Sequence, residues 1–580
     1  MTNSPIQTLF GQPFVSGTST GEILATDTEL SFWGGVDPIK GEVIDRHHPL
    51  SGQLLEGRVL ALPGGRGSCS GSGVILQMLV NGKGPEAILV SRPDDIITLG
   101  VLIAREIFNR SIPVVMLDGP DFQHALQKKH ALVADGQVII GDQALDDNVI
   151  ADTAPQPKLV SMELSDLDQA ILDGEHGQAA QVAMKITLQM AQLVGATKLM
   201  DVKQVHIDGC VYTGEASLVF AQELRRMGGK VAVPTTLNSI SVDYRRWRDQ
   251  GVPSEFGEQA SALADAYTDM GAQPSYTCAP YLLDSAPKQG DQIAWAESNA
   301  VVFANSVLGA RTMKYPDFLD VCIALTGRAP AAGAHIEHNR KATLHVSFKA
   351  VSKTIDDDLY PLLGYQVGKL AGNRVAAVEG MAHLSPDHDD LKAFGAAFAT
   401  ISSAPMFHIV GVTPDAPDLA SAMSLHEEIE HCVLGTEDLI ESWQVLNKAE
   451  NETVDFVSLG NPHFSLSEFA RLASLCEGKS KAEAVEMVIT SSRVMVKKAA
   501  DAGHLAKIEA FGAKIVTDTC WCMIGEPVIP PSAHTILTNS AKYAHYGPGL
   551  TGRAFKLASL IKCVEAAISG KLPNLKPDWM

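Results

Sequence analysis

The apolar run Val59-Leu60-Ala61-Leu62 leads directly into Pro63-Gly64-Gly65-Arg66-Gly67-Ser68-Cys69-Ser70-Gly71-Ser72-Gly73, and a second apolar run, Val74–Leu79, follows. Five glycines within these eleven residues restrict the segment to a tight connection between two regular elements. Glycine alone enters positive φ without a steric cost and lets the backbone approach a neighbour or ligand closely. Three serines and a thiol in such a turn can offer hydroxyls and N–H donors to an anion. The string lacks the Gly-Lys-Ser/Thr ending of a P-loop and the full βαβ setting of a dinucleotide turn, so neither phosphate reading applies. A Ser/Gly-rich surface turn and a ligand-binding loop both remain open.

At 580 residues the chain exceeds one hydrophobic core, and two to four domains are expected. Hydrophobic residues at 46% and charged ones at 19% fit a globular protein rich in buried structure. The formal charge is −21 and no basic tract is present. Nucleic-acid backbones and anionic membranes are repelled by such a surface, so neither is an expected partner. A small anionic substrate stays possible, because a local Arg or Lys pocket outweighs the global field. Met1–Pro5 lacks the basic and apolar regions of a signal peptide, and no apolar run is long enough for a membrane span. Nine cysteines scattered from Cys69 to Cys563 do not read as a secreted disulfide framework. A reducing cytoplasm and a monomer are expected.

Residues 1–142 read as one small β/α unit, a sandwich or barrel, with short strands at Ala87–Val90, Ile112–Met116 and Gln137–Ile140 and a short helix at Thr98–Arg105. Residues 143–160 are polar, acidic and Pro-containing, which suits a linker. Residues 161–580 alternate helical patterns (Gln178–Leu193, Leu218–Met227, Leu466–Leu475) with apolar runs read as strands. Those runs are Gln204–Ile207, Lys230–Val233, Val301–Phe303, Phe407–Val412, Phe456–Leu459 and Lys514–Val516. The fold class is α/β and multi-domain, with two or three subdomains in the larger part.

Several loops could carry chemistry. In Pro274–Tyr281, Cys278 sits beside prolines, as a restrained metal-binding thiolate would. In Val516–Met523 an apolar strand runs into Asp518-Thr519-Cys520-Trp521-Cys522. One residue between Cys520 and Cys522 is too few for a zinc knuckle. Cys278, Cys520 and one distant ligand suit an iron–sulfur cluster better, since such clusters recruit thiolates across long separations. Packed, inert thiols are the bland alternative. The stretch Trp295–Thr312 interleaves Glu, Asn, Ser and Arg with small apolar residues; Arg311 could grip a carboxylate, or Ser and Asn could simply cap a helix. Glu215, after Tyr212-Thr213-Gly214, either stabilises a helix N-terminus or binds substrate. His47-His48 reads as surface, and Asn461-Pro462-His463 is more suggestive.

Taken together these strings resemble aconitase X, a branch of the aconitase superfamily, over nearly the whole chain. The small swivelling part is matched by Phe32–Pro38 and Gly65–Ser72. The large part is matched by Asp173–Gly177, Tyr212–Ala216, Pro234–Asn238, Thr277–Tyr281, Ala294–Thr312 and Asp518–Cys520. The resemblance implies an aconitase-like architecture, with a small swivelling domain fused to a larger α/β body. In one kind of the family the two parts are separate subunits, similar to a mevalonate 5-phosphate dehydratase. In the other they are fused, as here, similar to enzymes that dehydrate cis-3-hydroxy-L-proline. Where the two-subunit kind has Gly-Cys-Pro-His, this chain reads Gly460-Asn461-Pro462-His463. That departure favours the hydroxyproline kind and a 2Fe–2S cluster, with Cys322 and Asn461 as candidates for its third ligand.

The resemblance also implies that Ser68 is the catalytic base. A 3-hydroxy imino acid would lose its C2 proton to Ser68 while iron held by Cys278 and Cys520 acts as Lewis acid on the C3 hydroxyl. Arg66 and the loop amides would stabilise the serine alkoxide, and Cys69, Ser70 and Ser72 would contact substrate. Three alternatives stand beside this lyase: a phosphorylated hydroxy acid as substrate, an iron-sensing regulator, and a cluster-free enzyme with Cys69 as nucleophile.

Overall fold

The computed structural model describes residues 6–145, 161–349 and 356–580. The expected linker falls mostly on residues 146–160, outside the described residues. The chain divides into two compact units: Met1–Val202, Tyr212–Val233 and Tyr315–Ala332 form the first, and Lys203–Val211, Pro234–Lys314 and Gly333–Met580 form the second.

The first unit is built on eight strands in the order Gln7–Phe10, Gln137–Gly141, His130–Ala134, Thr18–Ala25, Arg58–Ala61, Ala87–Val90, Val114–Met116, Gln12–Val15. The two strands at the ends of that order are joined through Gly11 alone, so the sheet closes on itself as a barrel. Closure leaves no room at the corner: a Cβ on Gly11 would lie 2.4 Å from the Met116 carbonyl oxygen. The four central strands run parallel, which requires crossovers between them. Helices Gly71–Val80 and Asp95–Phe108 supply two of these. Asp94 caps the second helix by accepting from Ile97 N, and Asn109 ends it at φ 52°. The helix runs 14 residues, longer than the sequence suggests, because its all-apolar middle is buried. Val59, Leu89, Val115, Val133, Val138 and Ile140 fill the interior. Helices Asp166–Leu172, Gln178–Leu193, Glu215–Arg226 and Leu319–Thr326 complete the unit. Arg328 joins two of its segments, reaching Asp168 at 2.7 Å and Asp201 at 2.5 Å.

The second unit contains three parallel sheets. Val205–Ile207 lies between Thr235–Leu237 and Ala294–Trp295. Four strands follow in the order Phe407–Ile409, Ala376–Glu379, Leu344–Phe348, Glu430–Leu434. The third sheet runs Lys514–Thr517, Glu486–Ser491, Phe456–Leu459, Thr535–Thr538, Ala554–Leu557. The inner strand Phe456–Leu459 is buried throughout, as expected where helices cover both faces, whereas the edge strand Glu430–Leu434 is largely exposed. Loops at the carboxyl ends of parallel strands are where ligands bind in folds of this kind.

Two expected strands are absent. Val301–Phe303 lies within the helix Ser298–Ser306, capped by Glu297, whose side chain accepts from Asn299 N. A helix buried on every side loses its 3.6-residue pattern and reads as an apolar strand. Lys230–Val233 is a partly exposed loop, and the strand that pairs with Val205–Ile207 begins at Thr235, after Pro234. Among the described residues no helix is long and apolar enough to cross a membrane.

Candidate functional site

Three segments distant in sequence converge in the second unit. Phe456–Leu459 runs out into Gly460-Asn461-Pro462-His463, and Lys514–Thr517 into Asp518-Thr519-Cys520-Trp521-Cys522. Cys278 follows Tyr276, held at φ 41°, in the loop tied to Leu237 through Ser275. Gly460 has no alternative residue: its φ is 92°, and a Cβ there would fall 2.2 Å from the Thr490 carbonyl oxygen. Asp518 takes φ 71° and receives Arg493 Nη2 at 2.7 Å.

Trp521 orients the Cys-Trp-Cys turn. Its indole donates to Leu459 O at 2.7 Å and stacks on Tyr543 with centroids 5.5 Å apart. The segment is closed as a turn by Met523 N donating to Cys520 O at 2.9 Å, and with Trp521 anchored in the core both flanking thiols meet Asn461. Cys520 is hydrogen-bonded to both Cys278 and Cys522. The Asn461 carboxamide lies across the turn, its Oδ1 accepting from Cys520 at 3.5 Å and its Nδ2 donating to Cys522 at 3.5 Å. His463 joins the remaining loops: its N–H donates to Cys278 Sγ at 3.3 Å, Nε2 bonds Thr519 O at 2.8 Å, and Nδ1 meets Thr277 Oγ1 at 3.2 Å.

All three thiols are buried. Burial opposes ionisation of Cys278, but the Cys520 hydrogen bond together with His463 and Lys542 outweighs it and holds the thiol well below its usual range. The same kind of hydrogen bond lowers Cys522 against its burial. Cys520, whose neutral thiol is shared among Cys278, Cys522 and Asn461, is pushed up in exchange. Among the described residues no group of three His, Cys, Asp or Glu side chains stands ready-made around a metal ion. The thiols form a chain instead, with Cys520 in the middle. In donor chemistry they still fit an iron–sulfur group, which takes soft thiolates supported by hydrogen bonds to sulfur.

A buried polar network adjoins the trio. Lys542 Nζ donates to Glu297 Oε1 at 2.9 Å, with both residues 5% exposed. Glu297 also accepts from Asn299 Nδ2 at 2.6 Å and Asn238 Nδ2 at 3.3 Å. Asn299 reaches on to the Cys278 carbonyl at 3.0 Å and accepts from Tyr281 OH at 2.9 Å. Burial disfavours the Lys542 ammonium, but Glu297 and then the three thiols hold its pKa well above the ordinary lysine value.

The glycine-rich loop belongs to the first unit, between strand Arg58–Ala61 and helix Gly71–Val80. Gly67 turns at φ 80°. Ser68 Oγ accepts from Ser70 N at 3.3 Å and lies 3.4 Å from Ser70 Oγ. Ser72 Oγ donates to Cys69 O at 3.1 Å, and the Cys69 side chain is fully buried. The loop's own carbonyls take up the amides of Gly71, Ser72 and Gly73, at 3.3, 3.4 and 3.1 Å, so the donor row expected for an anion is largely spent. Arg66 is engaged as well, through Asp45 at 2.9 Å and Glu29 O at 3.0 Å. Its place is that of a clamp on the loop rather than a free cation beside Ser68.

The structure brings Ser68, Cys69, Ser70 and Ser72 together in one unit, and Cys278, Cys520 and Asn461 together in the other. Arg311 is ion-paired with Glu337. Glu215 is exposed in the first turn of its helix. Cys322 belongs to the first unit, in the helix Leu319–Thr326, where burial and then Asp320 push its thiol up and keep it protonated. Sequence reasoning passed over Cys522, because its spacing from Cys520 was weighed only against zinc motifs. The Glu297–Lys542 pair left no trace at all, since its members are 245 positions apart. His48 is buried, not on the surface, its ring nitrogens meeting Thr28 O at 3.3 Å and Leu50 N at 3.2 Å.

Four family models match in succession: the aconitase X swivel domain over residues 8–141, the first domain over 161–338, the second over 342–444 and the third over 454–569. A cis-3-hydroxy-L-proline dehydratase of Hypocrea jecorina is 58% identical over 98% of this chain and 97% of its own. One of Pseudomonas aeruginosa is 54% identical over the same shares, 98% and 97%. The crystal structure of Thermococcus kodakaraensis aconitase X in its holo-form matches with a TM-score of 0.63 at 33% identity, covering 70% of this chain and all of that one. The chain belongs to the aconitase X family.

Proposed function

We propose that this protein is a hydro-lyase that removes water from cis-3-hydroxy-L-proline to give Δ1-pyrroline-2-carboxylate. The observation that carries the reading is near-full-length likeness, above half identity, to two dehydratases of that name. Ser68 is the base. The C2–H bond breaks and its proton passes to the Ser68 oxygen. Its electron pair forms the C2–C3 double bond, and the C3–O bond breaks to release hydroxide, which takes up the proton now held on Ser68, leaves as water and restores the serine alkoxide. The enamine then tautomerises to the cyclic imine without help. A serine needs its alkoxide stabilised for this task, and the Ser70 amide, 3.3 Å from Ser68 Oγ, is placed to do so. Arg66 acts one step removed, by fixing the turn through Asp45.

Cys278, Cys520 and Cys522 are the thiolates we assign to a 2Fe–2S cluster, with Asn461 bracing two of them. Bound there, such a group supplies a Lewis acid for the C3 hydroxyl. Cys322 falls outside this set because its surroundings disfavour the thiolate. Arg311 would have to release Glu337 before it could hold a substrate carboxylate, and it has no role in the step. A reducing compartment suits the nine free cysteines.

The test is a substrate comparison with purified protein, scoring cis-3-hydroxy-L-proline, its trans isomer and mevalonate 5-phosphate side by side. Iron and sulfide are measured on the same sample. Dehydration of the cis isomer by an iron-containing protein is expected. Turnover of mevalonate 5-phosphate alone, or full activity without iron, contradicts the reading.

A further inference from the structure

A buried ion pair asks for an account, because well-packed apolar residues in its place are often equally stable or better. Lys542 and Glu297 form such a pair next to the thiol trio. Glu297 does not depend on Lys542 for its hydrogen bonds, since Asn299 and Asn238 already donate to it. Lys542, in contrast, has three N–H groups, and among the described residues Glu297 is its one hydrogen-bond partner. The other cations nearby, buried Lys392 and half-buried Arg493, are spent on acids of their own. Lys392 reaches Glu468 and Asp389, and Arg493 reaches Asp518. Lys542 is linked to the trio through Glu297, which accepts from Asn299 Nδ2, the same amide that donates to the Cys278 carbonyl at 3.0 Å.

Three thiols that give up their protons to a metal group leave negative charge in a water-poor interior, where Coulomb energies are several-fold larger than in water. Residues around a cluster tune it through net charge and burial. We propose that Lys542 is a positioning residue for the thiol site: it is the resident counter-cation of the thiolates, and Glu297 holds it in place while moderating its charge. This rests on the cluster assignment above. It goes further by predicting opposite effects for two side chains outside the thiol trio.

The experiment is a redox titration of the purified protein followed by electron paramagnetic resonance, in wild type, Lys542→Met, Lys542→Arg and Glu297→Gln. Loss of the cation should move the cluster midpoint to more negative potential, and loss of the carboxylate charge should move it to more positive potential. Lys542→Arg should stay near wild type. A packing role alone would not produce opposite signs. Midpoints that do not move, or that move in the same direction in Lys542→Met and Glu297→Gln, overturn the proposal. If Lys542→Met cannot retain a cluster, iron content decides. Retention in Lys542→Arg with loss in Lys542→Met supports the charge role, and equal loss in both contradicts it. A wild type that holds no iron contradicts the cluster assignment itself, which sets that failure apart from this one.

Discussion

Ser68 is held by Ser70, two positions away, and its clamp Arg66 reaches partners 21 and 37 positions away. Cys278 is held by His463, 185 positions away, and Glu297 by Lys542, 245 positions away. The serine loop is therefore largely a local structure, written in consecutive residues whose glycines allow its tight turns, with Arg66 and the Asp317 amide on Cys69 O as its ties to distant segments. The thiol trio is a tertiary structure that exists only once the loops after Phe456–Leu459 and Lys514–Thr517 meet the loop that carries Cys278. A local site tolerates substitution in the rest of the fold but not within itself. An assembled site is vulnerable wherever its loops are braced, and each of its residues looks ordinary in sequence.

The largest effect that sharpens this contrast is expected at the middle of the trio. Cys520→Ser removes the central thiolate, and it should leave no visible iron absorbance and only background turnover. Cys522→Ser keeps the Cys278–Cys520 contact and should retain part of the iron. Equal iron in wild type and Cys520→Ser would break the comparison.

A second effect concerns stability against acid in the assembled unit. Burial pushes His206 down to about 4 and His335 down to about 3, so both are neutral in the folded state. The unfolded chain takes up a proton on each near pH 6.5. Their contribution is complete above that pH and is lost as pH falls from 6.5 towards 4 and 3, at a cost of about 3 kcal/mol for His206. Denaturant unfolding of wild type and His206→Gln at pH 7 and pH 5 should show the wild type losing more, a difference that sets aside the buried carboxyls Glu468, Asp358 and Asp390, whose raised pKa values act in the opposite sense. The same pH dependence in both proteins would contradict the assignment. The smallest effect is expected at Cys322, where Cys322→Ser should leave iron content and turnover unchanged apart from a modest drop in melting temperature.

How much could be read in advance follows the same division. The glycine-rich turn, the helix Gln178–Leu193 and the strand Phe456–Leu459 were legible because spacing, composition and boundaries lie in consecutive residues. Cys278 and Cys520 stood out only through the resemblance and their loop settings. Cys522 was missed because what turns it towards Cys520 is the Trp521 anchor on Leu459, a long-range contact. Val301–Phe303 was misread for a related reason: a helix enclosed on all sides carries no periodicity to reveal it. Arg66 and Arg311 looked like free cations because their acidic partners, Asp45 and Glu337, are supplied by tertiary structure.

Turnover and iron content of Ser68→Ala, measured on one preparation, test the central claim that the base and the thiolate site are separate devices. General bases contribute on the order of a hundred- to ten-thousand-fold in rate. The account predicts a loss of that size with visible absorbance and iron equal to wild type. Unchanged turnover, or a loss of iron in parallel with the loss of turnover, would contradict it.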